Sequence, residues 1–136
     1  MARSRAKTKG RREGGRFFQV PHSVVKTPAF LALTAHAQKL WYDLMLQYNG
    51  SNNGRIVAVL SQMEARGWSN GTLYRSLQEL LGKGFLEKTR QGGIGAMAKT
   101  CTYYRFTHLP TGTDPEIPLR AMGPTNEFRS WNPARE

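Results

Sequence analysis

Apolar residues recur at intervals of three and four along residues 34–48. They are Ala37, Leu40, Trp41, Leu44, Met45 and Tyr48. This spacing places them on one face of an amphipathic helix. Thr34 is a suitable N-cap for that helix, and the Asn49-Gly50 pair would end it. We therefore predict a helix over residues 34–48 with one buried face.

Shorter elements are predicted on both sides of this helix. Pro21 and Pro28 each suit the first turn of a short helix before it. After it, residues 51–54 form a polar turn, and residues 55–59, which include Ile56, Val57 and Val59, indicate a short strand. The sequence Ser61-Gln62-Met63-Glu64 matches a capping box that opens a further short helix, which would end near Gly67.

A longer amphipathic helix is predicted over residues 70–81, with Ser69 or Asn70 as its cap. Its expected buried face carries Leu73, Leu77, Leu80 and Leu81. The glycines at 82 and 84 would end it. Residues 85–90 and 101–107 then predict two strands of a hairpin, joined by a glycine-rich loop over residues 91–100.

The two ends of the chain lack apolar periodicity. Residues 1–16 contain seven Lys and Arg against one Glu, and we expect them to form a disordered basic arm. Residues 108–136 contain five prolines and are expected to form an extended tail, in which Phe128 and Trp131 are available to dock. The predicted organisation is an arm (1–16), one domain (17–107) and a tail (108–136).

The composition narrows the classes of partner. The net charge is +11 over 136 residues, which favours nucleic acid, an anionic surface or an acidic protein as partner. Cys101 is the only cysteine, and the sequence holds no apolar run long enough for a membrane span. We therefore expect a cytoplasmic protein, associated with the nucleoid, that has no membrane partner.

The order of elements from residue 34 to residue 107 resembles a winged helix-turn-helix domain. Two features carry the resemblance: the closely spaced helices on either side of Gly67-Trp68, and the passage Leu80-Leu81-Gly82-Lys83-Gly84-Phe85-Leu86 into a hairpin. Winged helices of transcriptional regulators and of plasmid or phage replication initiators show similar joints. The resemblance implies an α+β fold, with a three-helix core and a short β-hairpin wing.

The resemblance also implies which residues would bind double-stranded DNA. The helix at residues 70–81 would enter the major groove, and the hairpin loop would touch the backbone or the minor groove. The candidates on the helix are Ser69, Asn70, Thr72, Arg75 and Gln78. Those on the wing are Arg90, Gln91 and Lys99. The arm lies outside the resemblance, but its charge makes its cations candidates for backbone or minor-groove contact: Arg3, Arg5, Lys7, Lys9, Arg11, Arg12 and Arg16.

Helical geometry with four leucines inside places Gly71, Thr72, Arg75, Gln78, Glu79 and Gly82 on the opposite face. Arg75 can pair with guanine through two hydrogen bonds, and Gln78 can do so with adenine. Glu79 would either accept a hydrogen bond from cytosine or face solvent.

The sequence gives no support for an enzyme, a cofactor or a metal site. His22, His36 and His108 stand far apart, and the acidic residues fall on different predicted elements. We expect a sequence-specific regulator or a replication-initiator-like protein of a mobile element, which would function as a monomer or a homodimer. Two alternatives stay open: a winged-helix module that binds an acidic protein, and a basic protein associated with RNA or ribosomes.

Overall fold

The structure is a computed structural model, and it describes residues 15–94, 99–117 and 119–133. Five α-helices and an antiparallel hairpin give an α+β fold over these ranges. The helices are α1 (His22–Val25), α2 (Pro28–Leu31), α3 (Ala35–Met45), α4 (Leu60–Met63) and α5 (Asn70–Gly82). The strands are β1 (Leu86–Arg90), β2 (Gly93–Ile94), β3 (Lys99–Thr100) and β4 (Tyr103–Phe106), and 3-10 turns lie at Glu64–Arg66 and Glu127–Ser130.

Helix α3 begins as predicted, because the side chain of Thr34 accepts a hydrogen bond from the Ala37 backbone N–H at 3.2 Å. It ends three residues earlier than predicted, at Met45. Just beyond that end, the side-chain amide of Gln47 exchanges two hydrogen bonds with the Val57 backbone, at 2.7 and 3.0 Å. Those bonds anchor the following loop to the end of α3.

The prediction of a strand over residues 55–59 is wrong. Only Ile56 pairs with another segment, through two backbone hydrogen bonds to Tyr104 in β4. The backbone groups of the next residue, Val57, point away from β4 and bind the Gln47 side chain. The turn before this segment also binds β4. The buried Asn53 side chain accepts from the Phe106 N–H and donates to the Phe106 carbonyl.

The capping-box prediction at Ser61 is also wrong. Helix α4 starts at Leu60 with Val59 at its N-cap position, and no side chain caps it. Ser61 therefore lies inside the first turn, where its hydroxyl cannot occupy the N-cap position. The segment continues as a 3-10 turn and stops at Gly67, which has a left-handed backbone with φ of 93°, as the predicted turn glycine requires.

The hairpin joins β1 to β4 in antiparallel register, with Leu86 opposite Phe106. Thr89 is an extra residue between two paired positions, which makes a bulge at which the ladder twists more strongly. Its hydroxyl donates to the Gly54 carbonyl at 2.6 Å. Beyond the bulge, Gly93 pairs with Thr100 and extends the hairpin outward.

One hydrophobic core unites the helices with the hairpin. Phe30 of α2 makes edge-to-face contacts with Trp41 of α3 and with Phe85, at centroid distances of 5.7 and 5.8 Å. Leu40, Leu44, Leu80 and Phe106 are completely buried in the same cluster. Helices α3 and α5 pack directly on each other, so the core fixes the position of α5.

The prediction of an extended tail is wrong. The chain folds back through paired backbone bonds between Thr111 and Met122, and Phe128 is completely buried in the same core. The Phe128 ring stacks on Phe85 at 4.9 Å. Phe128 does dock, as the sequence allowed, but it does so as a core residue of the domain.

The tail also carries ion pairs to the domain. The Arg55 guanidinium donates to Asp114 and to Glu116, the latter at 2.6 Å. Hydrogen bonds from Arg55 hold the pKa of the Asp114 carboxyl below its usual value. These contacts fix the segment after β4 against the turn that precedes Ile56.

Gly84 is where the tail approaches the end of α5 most closely. A Cβ there would lie 2.8 Å from the Phe128 nitrogen, and the φ of Gly84 is +86°. Gly82, two residues earlier, has nothing within 4 Å of the corresponding position. We expect Gly84→Ala to lower the free energy of unfolding by about 1–3 kcal/mol. We expect Gly82→Ala to leave it unchanged or raise it by up to about 1 kcal/mol. Urea unfolding of both variants checks this, and equal effects would contradict the close approach.

Candidate nucleic-acid interface

The solvent-facing side of α5 is the candidate surface. Its exposed residues are Asn70, Gly71, Tyr74, Arg75, Gln78 and Gly82. At 100° per residue these positions form one continuous arc. Gly71 and Gln78 lie along its centre, with Tyr74 on one side and Arg75 on the other. We call this set the α5 face.

The α5 face is rotated relative to the face predicted from the sequence. Ser76 is buried, whereas Leu81 is only half-buried. The buried side is therefore centred nearer to Ser76, and Thr72 moves to the edge of the exposed arc. The leucine pattern alone could not show this, because a serine is ordinarily expected at the surface.

The prediction that Glu79 faces DNA or solvent is wrong. Its carboxylate accepts hydrogen bonds from the Thr34 backbone N–H and from the Thr34 hydroxyl, both at 2.8 Å. Glu79 lies in the last turn of α5 and thus joins that end of the helix to the start of α3. The bound carboxylate lines a cleft together with Thr72 and with Arg75 of the α5 face.

Tyr74 is the surface residue that the sequence analysis missed. Its side chain is 62% exposed, on the same arc as Gln78. The leucine spacing could have identified it, because position 74 points outward when Leu73, Leu77 and Leu80 are inside. An aromatic residue in an amphipathic helix is assigned to the core by default, and here that default fails.

Polar groups gather at the first turns of α5. Ser69 is the N-cap by position, but its hydroxyl bonds to the Thr72 hydroxyl at 3.1 Å and makes no backbone cap. Arg75 Nη2 also donates to that hydroxyl, at 3.5 Å, and a Cβ at Gly71 would lie 3.4 Å from Arg75 Nη1. The Arg75 guanidinium therefore folds back over the N-terminal turns, where free backbone N–H groups favour an anion.

The candidate residues of the wing differ in how many contacts their side chains already make within the protein. Arg90 donates two hydrogen bonds to the Cys101 carbonyl and stacks on Tyr103 at 3.9 Å, so its guanidinium braces the base of the hairpin. Gln91 is exposed and accepts from Lys88 at 3.1 Å. Lys88 is an exposed cation that the sequence analysis did not select. The backbone of Lys99 pairs with that of Ile94, and the structure does not describe the Lys99 side chain.

The arm falls almost entirely outside the described residues. Arg3, Arg5, Lys7, Lys9, Arg11 and Arg12 belong to that part of the chain. Arg16 is described and exposed, and it lines a cleft with Phe17 and Met45. The arm therefore joins the domain beside the end of α3.

The buried carboxylate of Asp43 holds the turn before α5 in place. It accepts from the Trp68 indole N–H, from Lys39 and from Arg66, each at 2.8 Å. Lys39 also donates to the Arg66 carbonyl at 3.0 Å and lies over the Trp68 ring. These four residues, which we call the Asp43 cluster, join α3 to the chain immediately before α5.

The charge of Asp43 is stabilised despite its burial. Burial alone would raise the pKa of this carboxyl, but hydrogen bonds from Arg66, Lys39 and Trp68 outweigh it and lower the pKa below the usual value of 3.8. Asp43 is therefore ionised at neutral pH. The cations that it pairs with remain half-exposed.

His108 and Cys101 are two further side chains that could take part in chemistry. Burial lowers the pKa of His108 to about 4, and its ring packs on Trp41 and Phe106 at 5.3 and 5.7 Å. Cys101 is exposed. Over residues 15–94, 99–117 and 119–133, no three His, Cys, Asp or Glu side chains stand close enough to share a metal ion. None of the helices in those ranges has both the length and the apolar character that a membrane crossing requires.

Comparison with known proteins gives no relative. No protein-family model matches this chain, and neither does any curated protein or solved structure.

The Asp43 cluster makes a testable contribution to stability. We expect Asp43→Asn to lower the free energy of unfolding at pH 7 by about 1–3 kcal/mol, because the amide can still accept from Trp68 but loses both ion pairs. Glu64→Gln removes an exposed carboxylate nearby and should have little effect.

The pH dependence of that loss gives a second check. Because the pKa of Asp43 is lower in the folded state, its stabilisation is fully present above about pH 4 and is lost as the pH falls through the folded pKa. The unfolding free energies of wild type and Asp43→Asn should therefore begin to converge below about pH 4 and meet once the pH is below the folded pKa. A difference that persists unchanged into strong acid would contradict the assigned role.

Proposed function

We propose that this protein is a sequence-specific, double-stranded DNA-binding protein, in which the α5 face reads the major groove. The observation that carries the proposal is the composition of that face. It combines an arginine, a glutamine and an asparagine with two glycines, and its one neighbouring carboxylate, Glu79, is bound to Thr34. Such a surface is able to hydrogen-bond to base edges.

The arrangement of elements supports a winged-helix architecture. Helix α3, the Ile56 bridge, α4, the Gly67 turn, α5, β1, the β2–β3 extension and β4 follow one another in the order that the resemblance implies. Helix α5 lies on α3 and is followed directly by the hairpin. In this proposal the hairpin is the wing. Among its described side chains, those of Lys88 and Gln91 would contact the phosphate backbone.

The charge distribution supports a polyanionic partner. The chain carries +11, with six Lys and Arg among its first 14 residues. Each phosphate that a cation neutralises releases counterions, so such an arm adds affinity without adding sequence preference. The α5 face, in contrast, offers few charges and several hydrogen-bonding groups, which suits selection among sequences.

Arg75 tests selective reading. We expect Arg75→Ala to weaken binding to the preferred duplex by about 1–3 kcal/mol and to weaken binding to random duplex much less, because a base contact is lost. Arg120→Ala removes an exposed arginine of the tail and is the matched control. Fluorescence anisotropy with a duplex enriched from a random pool provides both affinities.

Equal losses on the preferred and the random duplex would contradict selective reading by Arg75. Equal affinity of the unaltered protein for every duplex would favour the alternatives of non-specific polyanion binding or of an acidic protein partner. A preference for structured RNA over duplex DNA would favour the RNA-associated alternative.

The arm makes a separate prediction about salt. Replacing its six cations before residue 15 by Gln keeps the chain length and should reduce the slope of log affinity against log salt by up to about five units. The ratio of preferred to random affinity should change little. An unchanged salt slope would show that the arm does not contact phosphates.

A further inference from the structure

We propose that Tyr74 recognises thymine, through contact between its ring and the 5-methyl group in the major groove. This inference rests on the proposed function, and it adds a base preference that hydrogen bonding alone would not give. The α5 face would then select an A·T pair by shape and apolar contact as well as by polar contacts.

The position of Tyr74 carries the argument. Its side chain is 62% exposed on a helix whose other large apolar residues are buried or half-buried. Exposing an aromatic ring forgoes the burial energy that most tyrosines gain. It lies beside the centre line of Gly71 and Gln78, so a duplex that contacts Gln78 meets the Tyr74 ring as well.

The chemistry of the groove identifies the ligand. Base edges in the major groove present hydrogen-bond donors and acceptors, and the apolar group among them is the thymine methyl. An exposed ring gains little from the polar edges and gains burial from the methyl group. Of the four bases, thymine is therefore the one that an aromatic side chain at this place favours.

The spacing along α5 locates the thymine relative to its neighbours. Tyr74 and Gln78 are about one helical turn apart, roughly 6 Å along the axis of α5, so the two side chains would contact the same or neighbouring base pairs. Gln78 suits adenine. The two residues together point to a short A·T-containing segment at the centre of the site.

The ring and the hydroxyl of Tyr74 can be separated experimentally. A hydroxyl that binds a phosphate or a base edge would act equally on thymine and on uracil, which differ by the methyl group alone. A ring that packs on the methyl group would distinguish them. Tyr74→Phe keeps the ring, and Tyr74→Ala removes it; both are exposed substitutions that leave the core intact.

The experiment uses the full chain and a duplex enriched by it from a random pool. Each thymine of that duplex is replaced in turn by deoxyuridine, and affinities are measured by anisotropy. We expect one position at which uracil weakens wild-type binding about three- to fivefold, the equivalent of about one buried methylene. Tyr74→Phe should keep that difference, and Tyr74→Ala should abolish it. Phe17→Ala removes an exposed aromatic outside α5 and should keep it.

The outcomes separate this inference from the proposed function. If a duplex is enriched and its binding depends on Arg75, but no uracil substitution matters, the thymine contact is overturned and the proposed function stands. A uracil effect that survives in Tyr74→Ala also overturns it. If no duplex is enriched, the proposed function fails and the thymine contact fails with it.

Discussion

The contact between the buried Asp43 carboxylate and the Trp68 indole sets the geometry on which the rest of the structure depends. Trp68 lies between the Gly67 turn and α5, and Asp43 lies on α3, so their hydrogen bond of 2.8 Å fixes where α5 begins. Lys39 and Arg66 keep the carboxylate charged. The Glu79–Thr34 pair then joins the last turn of α5 to the start of α3. Two carboxylates therefore orient the surface that we propose reads DNA.

The tail supplies the second constraint. Phe128 stacks on Phe85, next to the glycine that ends the α5 turn, and so closes the core beneath the hairpin. Arg55 binds the tail again through Asp114 and Glu116. The segment after β4 is therefore part of the domain. Its packing on Phe85 supports the passage from α5 to β1, and hence the relative positions of helix and hairpin.

Local signals predicted the elements whose partners are close in sequence. The Thr34 cap, the Gly67 turn, the leucines of α5 and the hairpin all followed from spacing and turn chemistry. Contacts between distant residues could not be read this way. Glu79 turns inward because of Thr34, 45 positions earlier, and the Asn53 side chain binds the backbone of Phe106, 53 positions later. Tyr74 is exposed and Ser76 is buried, the reverse of the usual pattern, because the packing of α5 on α3 decides which face is buried.

We propose that the α5 face is the surface that contacts duplex DNA. Backbone amide chemical-shift mapping by NMR tests this, with the labelled protein titrated with its enriched duplex. We expect the largest shifts at residues 70–78, with smaller ones at Lys88 and Gln91. Shifts concentrated instead around Phe17, Tyr42 and Leu46, or spread evenly over the basic residues, would contradict it.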